Sequence, residues 1–128
     1  MEAHRPVRLS IPAEPDSVRL ARLVAAGVAA DAGLSIDDTE DLRIAVSELV
    51  ALLIDGPAAP DTDATITYRR KEGEVEVTGE YRAGADAADE PLDDLALEIL
   101  RVVIDDHDFQ VDGEVRRFRL VKRARTLA

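Results

Sequence analysis

Cysteine is absent from the 128 residues, which excludes disulfides, thiolate metal sites and cysteine nucleophiles. Histidine occurs only at His4 and His107, too few for a histidine-built metal centre. Aromatics make up 3% of the chain, so the core is expected to consist of Leu, Val, Ile and Ala. No apolar run approaches the roughly 20 residues that cross a bilayer. The opening MEAHRPVRLS lacks the apolar stretch of a signal peptide. These absences point to a soluble, cytoplasmic protein with no membrane partner. Positive charge is also short: 16 Lys and Arg against 27 Asp and Glu leave a formal net charge of −11. Nucleic-acid affinity comes largely from neutralising phosphates, so no direct nucleic-acid partner is expected. The acidic balance suits solubility or a basic protein partner.

The length fits one domain, expected to span 1–128. Val7, Leu9 and Ile11 alternate with Arg8 and Ser10, which predicts a strand with one buried face. Pro12 and Pro15 end it, and Asp16 or Ser17 offers a helix cap. Apolar residues then recur at helical spacing from Val18 to Ala32, with Gly33 as the stop. A second helix starts at Ser35 or Asp37, where Asp37, Asp38, Glu40 and Asp41 complement the helix dipole. Its core stripe reads Leu42, Ala45 or Val46, Leu49, Leu53, and Gly56–Pro57 ends it.

Two strands, Thr65–Arg70 and Glu74–Tyr81, form a hairpin through Lys71–Gly73. A third helix is expected to open at Pro91, with the stripe Leu92, Leu95 or Ala96, Ile99, Val102 or Val103. A last hairpin turns at Asp112–Gly113 and sends Phe118 and Leu120 inward. The order predicts an α+β fold: a two-layer α/β sandwich in which a mixed sheet carries helices on one face.

The stretch DLRIAVSELVALLID, Asp41–Asp55, resembles the helix that carries the N box of the histidine kinase-like ATPases. The upstream IPAEPDSVRLARLVAAGVAADAGLS is similar to the entry strand and first helix of one group of that superfamily, the anti-sigma factors that act as serine kinases. The element order agrees over nearly the whole chain. The resemblance implies the Bergerat-type ATP-binding fold. Its boxes are altered here. In active members a Glu and an Asn four residues later project from one side of the helix, and the Asn oxygen ligates Mg²⁺. Glu48 is retained, either as a relic general base or as a half-exposed helix charge, but Leu52 stands at the Asn position and has no lone pair to offer. Asp55, one turn further on, could supply an oxygen. The Asp-x-Gly-x-Gly box is replaced by VTGEYRAGADAADE, with Gly79, Gly84, Asp86 and Asp89. The Gly-x-Gly-Leu box is replaced by Asp94–Leu97. No cofactor-binding or metal-binding residue is therefore assigned, and ATP with Mg²⁺ enters only if the site survives in divergent form.

Other candidates have structural readings beside the functional ones. His107, among Asp105, Asp106 and Asp108, is expected at a helix end beside the dipole rather than on a metal. The row Arg116, Arg117, Arg119, Lys122, Arg123 and Arg125 either receives an acidic partner or protects a strand from aggregation. The acidic sets Asp37–Asp41 and Asp86–Asp94 are candidate docking patches. The resemblance implies a sigma factor and an anti-anti-sigma protein as partners. The altered boxes favour a non-catalytic regulator that sequesters its partner, with apolar helix faces serving the core and a homodimer. The alternative is an ATP-dependent serine kinase acting on the antagonist.

Overall fold

The computed structural model describes residues 5–55, 62–83 and 94–125. Strand β1 (Val7–Pro12) enters with Ile11 buried, and the chain passes through a 3₁₀ turn at Pro15–Ser17 into α1 (Val18–Asp31). Ser17 takes the cap position without a side-chain cap bond and is buried. Ala21, Ala25 and Ala29 are fully buried along α1, and their small size lets the helix lie close to its neighbour. Gly33, at φ 76°, ends α1 in the left-handed conformation, and the Leu34 N–H returns to the Ala29 carbonyl at 3.0 Å.

Ser35 caps α2 (Ile36–Leu53): its hydroxyl accepts the Asp38 N–H at 3.1 Å. Leu42, Ala45, Val46, Leu49 and Leu53 form the buried side of α2, as their spacing predicts. Strands β2 (Asp63–Lys71) and β3 (Glu74–Arg82) pair through a turn at Gly73, φ 77°. After α3 (Asp94–Val103), β4 (Asp106–Asp112) and β5 (Val115–Arg123) form the last hairpin.

The five strands lie in the order β1-β2-β3-β5-β4. The α+β two-layer class holds, but the sheet is antiparallel throughout rather than mixed. Two helices separate β1 from β2, so the second returns reversed. Strands β1, β3 and β4 run one way and β2 and β5 the other, and because β5 is inserted between β3 and β4 no two strands of like direction are neighbours. One sheet face packs on the helices. The other carries Thr65, Thr67 and Thr78 between ion pairs such as Glu76–Arg119 at 2.9 Å.

Two sequence expectations change. The core is not purely aliphatic: Tyr68, Tyr81 and Phe118 are buried in it. The Tyr68 hydroxyl donates to the Ala21 carbonyl at 2.8 Å, and burial pushes its pKa up. The α3 stripe is also different. Pro91 and Leu92 lie outside the described residues, and α3 buries Leu100 and Val103 while Leu95 and Val102 are 71% and 74% exposed. The helix is apolar on two sides, and periodicity alone did not say which side meets the sheet.

Candidate functional site

The site begins with α2, because it bears the one retained carboxylate of the N box. Glu48 is half-buried, one turn from Ile44 and one turn from Leu52 on the same side of the helix. Among the described residues its carboxylate meets no hydrogen-bond or ion-pair partner. Leu52 is half-buried and brings only hydrocarbon to this side. Asp55 lies beyond the helix end and is exposed, bordering a groove of about 390 Å³ with Ala13, Pro15, Val18 and Ile54.

The end of α2 is held by a residue whose role the sequence did not disclose. Arg116 is buried, and its Nη1 donates to the carbonyls of Leu52 at 3.3 Å, Leu53 at 3.4 Å and Asp55 at 2.7 Å. Leu52 and Leu53 belong to the last turn of α2, whose carbonyls have few partners within the helix, and Asp55 lies just beyond it. The available signal was parity: Arg116 shares the inner face of β5 with Phe118 and Leu120.

The remaining cations of the row are also engaged within the chain. Arg117 meets Glu80 at 3.4 Å, Arg119 meets Glu76 and Asp106, and Arg123 meets Glu74 at 3.1 Å. Lys122 is buried between Asp38 and Asp41, its Nζ 3.5 Å from each carboxylate. Arg125 adds a 2.6 Å pair with Asp41, and its backbone N–H donates to Asp38 at 3.0 Å. Burial by itself would raise the Asp38 pKa, but the Arg125 N–H, Lys122 and Ser35 outweigh it and hold the carboxyl below its usual range. This corrects the view of Asp37–Asp41 as one docking patch. Asp38 is 2% exposed and serves the interior, because it lies on the side of α2 that carries Leu42 and Ala45.

The other boxes change meaning in three dimensions. Gly79 is a seat for an aromatic ring: a Cβ there would stand 2.2 Å from the Phe118 ring. Gly84, Asp86 and Asp89, with most of the second acidic set, lie outside the described residues. Asp94–Leu97 forms the first turn of α3. His107 is not at a helix end: α3 stops at Val103, and His107 sits half-exposed in β4 opposite Leu120. Ile104 and Asp105 carry the chain into β4, with the Asp105 N–H donating to the Val121 carbonyl at 3.0 Å. Among the described residues no three His, Asp or Glu gather to hold a metal ion. The donor set around α2 does not fit Mg²⁺-nucleotide, because Glu48 stands beside a leucine where an oxygen ligand is needed. No helix among the described residues is long and apolar enough to cross a membrane.

Comparison with known proteins agrees with this architecture. Residues 11–122 match the histidine kinase-like ATPase domain family. The serine-protein kinase RsbW of Listeria innocua is 31% identical over an alignment covering 88% of this chain and 83% of that protein. RsbW of Bacillus velezensis is 52% identical over 42 residues, 33% of this chain and 26% of that protein. The crystal structure of the RsbU and RsbW domains of a Mycobacterium tuberculosis protein superposes with a TM-score of 0.70 at 16% identity. That likeness is one of fold; it covers 98% of this chain, which spans about a third (35%) of the length of the other.

Proposed function

The chain belongs to the histidine kinase-like ATPase domain family and, within it, to the relatives of the RsbW serine-protein kinases, and from that premise we propose that it works as a protein-binding regulator without efficient ATP hydrolysis. In this reading residues 1–128 form one domain of the anti-sigma type. It sequesters a sigma factor or a related partner, and an anti-anti-sigma protein competes for it. The observation that carries the reading is the α2 donor set: Glu48 remains, but Leu52 presents hydrocarbon at the position of the Mg²⁺ ligand. Phosphoryl transfer depends on positioning and on cations around the phosphates, and it loses both when the metal ligand is lost. Sequestration needs only a stable surface, which the buried α2 and its ties to β5 supply.

The kinase reading keeps one observation in its favour, the retained Glu48 in a chain whose relatives are named serine-protein kinases. Calorimetric titration with Mg-ATP separates the two. The expected dissociation constant is about 1 mM or weaker. A micromolar constant, or phosphate transfer to a serine of a co-purified antagonist, returns the kinase to first place. Glu48 is then the general base, and Glu48→Gln should abolish the transfer.

A further inference from the structure

Helix α3 carries an apolar stripe that the core uses only through Ile99. Leu95, Ile99 and Val102 stand at i, i+4 and i+7, one side of a helix over about 10 Å. Leu95 and Val102 are exposed, and Ile99 is half-buried. On α2, Ile44 is 42% exposed, and with Ile99, Val102 and Val103 it lines an open groove of about 430 Å³ between the two helices. A helix that is apolar on both sides is ordinarily covered on both.

The charges beside the groove select what covers it. Glu40 and Glu48 lie one turn before and one turn after Ile44, while Asp94 and Glu98 flank Leu95 and Ile99. Arg43 is engaged by Glu40 at 2.6 Å and Arg101 by Glu98 at 3.1 Å. Glu48 and Asp94 are left without a cation among the described residues. A second copy would bring another −11 chain and the same acidic rim. The chain's own residues 84–93 would add Asp86, Asp89, Glu90 and Asp93. Both meet the rim with like charge.

We propose that the α2–α3 groove is the docking site for a basic amphipathic helix of a partner protein. The partner's apolar residues at i, i+3/i+4 and i+7 fill the space beside Ile44, Ile99 and Val102, and its flanking Lys or Arg meet Glu48 and Asp94. This deepens the protein-binding reading above and rests on it.

The test uses the full chain and a synthetic labelled peptide of about 18 residues, long enough to form a helix. The peptide carries leucines at helical spacing flanked by lysines. A control has glutamates in place of the lysines. Fluorescence anisotropy should show binding of the lysine peptide, weakened about tenfold or more in the glutamate control and weakened by salt. Val102→Lys and Ile44→Lys, both at exposed positions, should each weaken the lysine peptide about tenfold. Leu23→Lys, 69% exposed on α1, should leave it unchanged. Circular dichroism verifies that each variant is folded.

Equal binding of the two peptides, no binding at all, or indifference to both groove variants overturns the proposal. A chain that self-associates in sedimentation and becomes monomeric with Val102→Lys also overturns it, because the occupant is then a second copy. Tight Mg-ATP binding in the separate calorimetric experiment defeats the non-catalytic reading and leaves the peptide result standing.

Discussion

The two ends of α2 are both tied to β5, and by opposite chemistry. At the start, carboxylates of Asp38 and Asp41 receive Lys122 and Arg125. At the end, neutral carbonyls of Leu52, Leu53 and Asp55 receive the Arg116 guanidinium. Each arrangement agrees with the helix dipole, with negative side chains at the N-terminus and a cation at the C-terminus. The start is a buried ion pair in which each charge depends on its partner. The end is a charge-assisted set of hydrogen bonds to backbone carbonyls at and just past the helix C-terminus. The difference teaches that polar ties of two kinds can hold the two ends of one helix beside a shared hydrophobic core.

That comparison can be broken most severely at the start. Asp38→Asn removes a charge from a buried network and leaves Lys122, whose side chain is 4% exposed, with Asp41 alone. Breaking a buried pair in this way costs about 3–5 kcal/mol, and urea unfolding should read a loss in that range. A loss below about 0.5 kcal/mol, typical of a surface site, would mean that the start is no more than a surface salt bridge.

The end should respond less. Arg116→Met keeps the length of the side chain and removes its donors, leaving α2 carbonyls unsatisfied, at about 2–3 kcal/mol. Hydrogen exchange should then show the last turn of α2 opening before the first. Equal protection at both ends would remove the distinction between them.

The smallest expected effect sharpens the contrast through pH. The folded-state pKa of Asp38 is depressed, so its stabilising contribution is present above the unfolded value of about 3.9 and is lost as pH falls through the lower folded value. The carbonyls that Arg116 holds do not titrate, so these bonds carry no acid response of their own. An acid titration of stability should therefore be shallower below pH about 4 in Asp38→Asn than in the parent. The same steepness in both chains would assign the acid response elsewhere.

Much of this molecule was legible along the chain. The period of Leu42, Ala45, Leu49 and Leu53 placed the core side of α2, and Ser35 and Gly33 marked helix boundaries. The stretch Asp41–Asp55 carried the resemblance to the family that residues 11–122 match. The sites that were not legible are those where two elements meet. Asp38 belonged by spacing to the core side, yet acidic residues at a helix start are explained by the dipole alone. Its partners stand far off in sequence, at the buried Lys122 and the exposed Arg125. The outward stripe of α3 was read as core because period reports that a side is apolar and not what lies against it.

What the sequence determined by itself was the set of local choices: where chain segments turn and which side chains share a face. Those follow from backbone geometry and residue chemistry within a few turns. The tertiary structure alone decided which of two apolar sides of α3 was buried, that β5 would enter between β3 and β4, and that Arg116 and Lys122 would be interior cations. Those outcomes depend on contacts between residues up to 87 positions apart, as between Asp38 and Arg125, and a buried charge is stable only where such a distant partner reaches it.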